Sequence, residues 1–196
     1  MTSNASNTAA YPIMLNLAGK ACVVVGGGRV AARKVKGLLE AGASVTVISP
    51  ELVPSLASLA EQNRIDWQPS EFRADLLETI QPFLVFAATD SAQVNQRVAT
   101  EARKRGALVN VVDGTADSDF SNVSIVRRSP ITIGISTNGA SPALSAYLKQ
   151  RVEALIGDEY VILAEWLSEL RPELQHFVHN QADRSHLYQA IIESDI

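Results

Sequence analysis

The sequence predicts an α/β protein built on a doubly wound parallel sheet, and three features carry that reading. Residues 83–88 (FLVFAA) and 108–112 (LVNVV) are continuous apolar runs of strand length, the pattern of strands covered on both faces. Residues 20–48 pass from a β-rich run through three successive glycines to a helical stretch and back to a β-branched run. Strand-like and helix-like segments keep alternating up to residue 113, which is the order of a sheet wound by βα units.

The elements follow in order. Residues 1–12 (MTSNASNTAAYP) are polar, with neither a basic n-region nor an apolar h-region, and are expected to form a loose tail rather than a signal peptide. Residues 20–25 (KACVVV) form the first strand and end at Gly26-Gly27-Gly28. A helix is expected over 30–41, with Val30, Ala31, Val35, Leu38 and Leu39 as its apolar positions and Gly42 as its C-terminal glycine. The second strand, 43–48, stops at Ser49-Pro50. A helix over 52–62 and a short strand over 65–68 come next. The strand 83–88 ends at Thr89-Asp90, a helix over 92–105 stops at Gly106, and the strand 108–112 ends at Asp113.

Past Asp113 the pattern changes. Residues 114–122 are a polar loop, and 123–127 and 131–136 are alternating strands about the turn-like Arg128-Ser129-Pro130, which reads as an added hairpin. A helix over 143–156 follows the loop 137–142, with Ser141 as its cap, Pro142 in its first turn and Gly157 as its stop. Residues 158–196 carry helical spacing at Ile162, Trp166 and Leu170, a break expected at Pro172, and a further helical stretch. The expected organisation is a nucleotide-binding domain over 1–122, a hairpin-plus-helix segment over 123–156 and a small helical domain over 157–196.

Composition removes several function classes. With 196 residues, 46% of them apolar and 19% charged, the chain can bury a core, and no apolar run approaches the roughly 18 residues of a membrane helix. A soluble, cytoplasmic protein with no membrane partner is the default expectation. Seventeen Lys and Arg against 21 Asp and Glu leave no global basic field for nucleic acid. A single cysteine, Cys22, inside an apolar run supports neither a disulfide framework nor a cysteine zinc site. The spacing of His176, His179 and His186 invites a metal reading, but no other ligand types gather around it, and no metal is expected.

The chemistry concentrates at the glycine turn. Gly26-x-Gly28-x-x-Ala31 sits between a strand and a helix, with a second strand on schedule, as a dinucleotide fingerprint requires. The first glycine makes the turn and the second lets a pyrophosphate approach the backbone. Ala31 replaces the third glycine, where only a small side chain is needed. Backbone N–H groups at the helix start, from Arg29 and Val30 onward, then hold the phosphates. The second strand ends in Ser49, Pro50 and Glu51, which places a carboxylate near the ribose position, and no Lys or Arg occurs from Gly37 to Asn63 to neutralise a 2′-phosphate. NAD is therefore favoured over NADP, although Glu51 also reads as an ordinary solvated carboxylate.

Several segments, taken in order, resemble a known family. Tyr11-Pro12-Ile13-Met14-Leu15-Asn16-Leu17 and Val24-Val25-Gly26-Gly27-Gly28-Arg29-Val30-Ala31-x-Arg33-Lys34 resemble the start of precorrin-2 dehydrogenases, including the N-terminal part of siroheme synthases. The likeness continues through Ala87-Ala88-Thr89-Asp90 with Val94-Asn95, through Asn110-Val111-Val112-Asp113, and from Ser129-Pro130 to Ser136-Thr137-Asn138-Gly139-Ala140-Ser141-Pro142. The resemblance implies a Rossmann-like fold and NAD-dependent oxidation of precorrin-2 to sirohydrochlorin in siroheme or cobalamin biosynthesis. Ferrous iron insertion accompanies that reaction in some members. It also implies a homodimer paired through the hairpin segment, and a stand-alone form without the methyltransferase domain of longer siroheme synthases. Thr89, Asp90 and Asn110 join the candidate cofactor-binding set on the same basis.

Asp113 closes an apolar strand, and the resemblance places the family's catalytic aspartate there. Oxidising precorrin-2 removes a hydride and a proton, so a carboxylate can take the proton; capping of the loop is the plainer role. The substrate's eight carboxylates call for cations, and Arg29, Arg33, Arg127, Arg128 and Lys149 are candidates. Ser136, Thr137, Asn138 and Ser141 form a hydroxyl-rich loop before a helix, suited to an anion or simply to capping. The competing reading is a non-catalytic NAD-binding regulatory module.

Overall fold

The structure, a computed structural model, describes residues 10–112, 114 and 117–194. Two compact units appear, Pro12–Ser121 and a second that contains the chain from Asn122 onward.

In the first unit, β1 (Ala21–Val25), α1 (Arg29–Glu40), β2 (Ser44–Ile48), α2 (Pro54–Glu61), β3 (Asp66–Gln68), α3 (Ala74–Ile80), β4 (Leu84–Ala87), α4 (Ala92–Lys104) and β5 (Leu108–Val111) form a five-stranded sheet in the order β3-β2-β1-β4-β5. Every pairing is parallel, with Val24 opposite both Val47 and Phe86. The chain winds outward from β1 to β3 on one side and from β4 to β5 on the other. Its direction reverses between β1 and β4, and the crevice at the carboxyl ends of those two strands is where doubly wound sheets bind ligands.

The period-two alternation of side chains divides the core in two. Cys22, Val24, Val45, Val47, Leu84 and Phe86 face Ala31, Val35 and Leu38 of α1 and Leu56 of α2. Val23, Val25, Val85, Ala87, Val109 and Val111 face Leu77 of α3 and Val98, Ala99 and Ala102 of α4. Both faces are covered, which is why these strands read as unbroken apolar runs.

One helix of this unit goes beyond the expected elements. Seven-residue α3 has too few turns to show a periodicity, and it is held by tertiary contacts: Leu77 is fully buried, and the Arg105 guanidinium donates to Glu78 on α3 at 2.6 Å and to Glu101 on α4 at 2.8 Å.

The second unit contains the antiparallel hairpin β6 (Ser124–Arg128) and β7 (Ile131–Ile135), then α5 (Pro142–Leu155), α6 (Asp158–Phe177) and α7 (Gln181–Glu193). The break expected at Pro172 is absent: α6 runs through it for 20 residues. Proline removes one i→i−4 bond, here to the Ser168 carbonyl, and the strong helix formers on both sides of it carry the helix across. No helix is long and apolar enough to cross a membrane among the described residues.

Candidate functional site

The three glycines after β1 meet three different surroundings. Gly26 has φ +125°, and its N–H donates to the Ile48 carbonyl at 2.9 Å. A β-carbon there would lie 2.3 Å from the Ala88 carbonyl oxygen, so the turn is pressed between the ends of β2 and β4. Gly27 is tighter still, with a β-carbon landing 1.8 Å from the Glu51 carbonyl oxygen and 2.7 Å from Ser49 Oγ. Gly28 differs from both: a β-carbon there would meet nothing within 4 Å.

Gly28 is the extended N-cap residue of α1, and no side chain caps that helix and no acidic residue lies in its first turn. Ser91, Ser141 and Asn180 cap α4, α5 and α7 with their side chains, whereas α2, α3 and α6 share the lack of such a cap, so it is the open Gly28 at its N-cap that sets α1 apart. The first-turn N–H groups of α1 therefore point at open space above a residue with no side chain, beside the exposed Arg29. Val30 is half-buried and Ala31 fully buried, the latter being the small residue that lets α1 close on the sheet. The arrangement fits the pyrophosphate of a dinucleotide.

At the end of β2, Ser49 is buried, and its hydroxyl donates to the Glu51 carbonyl at 2.8 Å. That hydroxyl shapes the loop. The Trp67 indole N–H donates to the Ser49 carbonyl at 2.9 Å, tying the same loop to the edge strand β3. Pro50 and Glu51 are exposed.

At the end of β4, Asn95 locks Thr89 in place. Its Oδ1 accepts from the Thr89 backbone N–H at 3.0 Å and from Thr89 Oγ1 at 2.7 Å, while its Nδ2 donates to the Thr89 carbonyl at 2.9 Å. Asn95 is buried, Thr89 half-buried and Asp90 exposed.

Along β5, Asn110 is buried and donates through Nδ2 to the Phe120 carbonyl at 2.9 Å, so its amide holds the chain that follows rather than open space. Asp119 accepts from the Val109 N–H and Ser118 from the Val111 N–H, both at 2.9 Å. This segment covers the edge of the sheet. Phe120 meets Phe86 edge to face at 5.5 Å, and the Lys34 ammonium lies 5.4 Å from the Phe86 ring centroid. Burial, helped by the neighbouring charge of Arg33, holds the Lys34 pKa below its usual value. Asp113 lies outside the described residues.

Residues 13–124 match an NAD(P)-binding family model, and residues 128–155 match the central model of sirohaem biosynthesis proteins. The chain belongs to the precorrin-2 dehydrogenase and siroheme synthase N-terminal-type family. Siroheme synthase of Chromobacterium violaceum is 38% identical over 186 residues, 95% of this chain and 39% of that protein. Siroheme synthase of Methylobacillus flagellatus is 44% identical over 174 residues, 88% of this chain and 37% of that protein. The chain thus spans well under half the length of these curated relatives. Among solved structures, SirC, a precorrin-2 dehydrogenase, superposes with TM-score 0.78 at 26% identity, covering 94% of this chain and 90% of that one.

In the second unit of this siroheme synthase-type chain, the hydroxyl-rich loop is largely satisfied by itself. Thr137 Oγ1 accepts from the Ser141 N–H at 3.1 Å and lies 3.1 Å from Ser145 Oγ, Ser141 Oγ accepts from the Leu144 N–H at 3.1 Å, and Ser136 Oγ accepts from the Asn138 N–H at 3.0 Å. The capping role read beside the anion-binding one is present in full. Asn138 takes a left-handed φ of +52°, and its side chain is exposed. Arg127 and Arg128 are exposed on β6, Arg33 is exposed on α1, and Lys149 pairs with Glu153 at 3.5 Å.

Three residues that shape the site carried no assigned role in the sequence: Gly27, Trp67 and Asn95. The unbroken Gly26-Gly27-Gly28 run was the available signal for the first, since a glycine between two motif glycines has no role in the fingerprint. No local pattern announces the other two, because their partners lie 18 and 6 residues away.

Proposed function

We propose that this chain oxidises precorrin-2 to sirohydrochlorin with NAD as the acceptor. The observation that carries the reading is the uncapped α1 N-terminus above the open Gly28 in a chain of this family, with the likeness to a precorrin-2 dehydrogenase extending over both units. Gly26, Gly28, Arg29, Val30 and Ala31 receive the pyrophosphate, Glu51 with Ser49 and Pro50 the adenosine ribose, and Thr89, Asp90 and Asn110 frame the crevice. NAD is preferred because Glu51 is exposed at the end of β2 and no cation occurs between Gly37 and Asn63. Bound NAD supplies the hydride acceptor. Asp113 takes the proton released with the hydride, and Arg127, Arg128 and the loop of Ser136, Thr137, Asn138 and Ser141 read the substrate's carboxylates.

A homodimer belongs to the same proposal. Leu144 and Tyr147 on α5 and Ile125 on β6 are exposed at 47%, 56% and 38%, and an apolar face of this kind on a hairpin and its helix suits a second copy.

The test is anaerobic absorbance of precorrin-2 with the protein and NAD, followed by added Fe(II) or Co(II) as substrate. Sirohydrochlorin is expected to form only with NAD and to be lost with Asp113→Ala. Tight NAD binding with no change in the tetrapyrrole spectrum would overturn the enzyme and leave an NAD-binding regulatory module. The metal arm reads whether chelation follows oxidation.

A further inference from the structure

The end of the α6–α7 seam nearer the turn between the helices departs from the way two helices ordinarily meet. Residues that face a neighbouring helix recur at three- and four-residue intervals and are usually apolar. Here those intervals bring Ala164 and Leu167 of α6 and Tyr188 and Ile192 of α7 to one end of a groove of about 660 Å³, and Arg171 and Gln175 of α6 with Gln181, Arg184 and Ser185 of α7 to the end nearer the turn, with Ser168 between. Neither helix buries a single residue.

The charge in the groove is one-sided. Two guanidinium groups line it and no Asp or Glu does, in a chain whose net charge is −4. Arg184 is half-buried and already fixed: its Nη1 donates to the Val178 carbonyl at 2.6 Å and the His179 carbonyl at 2.9 Å in the turn between the helices. Its Nε and second Nη make no hydrogen bond among the described residues. Arg171 is exposed and makes no ion pair among the described residues. Like charges lining one groove favour an anion between them. The planar, forked guanidinium matches carboxylate geometry, and the Gln175 and Gln181 amides lie at the same end of the groove.

We propose that the α6–α7 groove binds a multiply charged carboxylate anion, with Arg171 and Arg184 as its principal contacts. Two guanidinium groups on opposite helices call for more than one carboxylate on the ligand's frame. Free small polycarboxylates and a macrocycle bearing acidic side chains share this chemistry. The proposal stands apart from the proposed reaction because it requires no turnover.

Calorimetric titration of the full chain with citrate, with the octacarboxylate uroporphyrin and with inorganic phosphate tests it. Saturable binding of at least one carboxylate probe is expected, weakening with rising salt and reduced at least tenfold in Arg171→Gln/Arg184→Gln. Tighter binding of uroporphyrin than of citrate identifies the macrocycle as the source, and the reverse identifies the free anion. Ser185→Asp, which puts a carboxylate into the groove and keeps both arginines, is expected to abolish binding with the circular dichroism spectrum and thermal midpoint retained. The proposal is overturned if neither carboxylate binds, if phosphate binds as tightly as both, or if folded Arg171→Gln/Arg184→Gln or Ser185→Asp binds as the parent does. Failure of the dehydrogenase assay together with groove binding would remove the proposed function alone.

Discussion

The carbonyl oxygen of Glu51 lies 1.8 Å from the point where a β-carbon on Gly27 would stand. The middle glycine of the turn is thus the seat of the Ser49–Glu51 loop, and the Gly27 carbonyl accepts from the Val53 N–H at 2.9 Å to hold that loop down. Cofactor-facing and loop-facing roles fall on adjacent glycines.

That division predicts opposite phenotypes for two neighbouring alanines. Gly27→Ala forces the backbone at Glu51 to move and is expected to cost about 1–3 kcal/mol of stability. Gly28→Ala meets no protein atom within 4 Å and is expected to leave the melting temperature nearly unchanged while weakening NAD binding at least tenfold. Denaturant melts and NAD titrations of the two variants check this. Equal loss of stability in both would refute the assignment.

Asn95 offers a second separation. Its amide satisfies three groups of Thr89, two as acceptor and one as donor, in a buried position. Asn95→Ala strands the Thr89 N–H and is expected to destabilise by about 1–3 kcal/mol. Asn95→Asp keeps the acceptor and loses the donor while burying a charge, so it is expected to be no better than alanine at neutral pH and to recover as pH falls. Chemical denaturation at pH 7 and pH 5 measures both.

The winding of the sheet was legible because burial on two faces writes continuous apolar strands, as in 83–88, and because glycine turns and caps punctuate the helices between them. The phosphate loop was legible for the same reason, its chemistry being local in sequence. What escaped depends on distant partners. Seven-residue α3 relies on Arg105 and on burial of Leu77, and α6 overrides Pro172. The buried Asn110, whose amide turns to Phe120, reads in sequence like any polar residue near a ligand crevice.

Trp67 is expected to act on the cofactor at one remove. Its indole N–H fixes the Ser49 carbonyl, and the Ser49 hydroxyl fixes the Glu51 carbonyl. Trp67→Phe keeps most of the ring and removes the donor, a loss of about 0.5–1.5 kcal/mol. If the proposed reaction holds, KM for NAD rises several-fold with kcat unchanged, since the loop touches the ribose and not the reacting carbon. A fall in kcat at constant KM would contradict this placement.

Cys22 supplies a prediction about pH. The thiol is 0% exposed in β1, and burial raises its pKa from 9.0 to about 11, against a smaller opposing effect of a backbone hydrogen bond to Leu84. At pH 8 the folded protein should therefore resist iodoacetamide, which needs the thiolate, and react only when denatured. The linkage has a definite sign. Below pH 9 both states keep the proton and Cys22 adds no pH dependence; between pH 9 and about 11 the unfolded chain releases it while the folded chain does not, so stability falls as pH rises. The loss amounts to roughly 2–3 kcal/mol across that window. Lysines and tyrosines titrate there too, so the measurement is the difference between the parent and Cys22→Ala. The alanine variant is expected to be less stable at pH 8, for want of the buried sulfur, and to close the gap as pH approaches 11. A gap that stays constant across the window would show that the thiol ionises as readily in the folded protein as in the unfolded one.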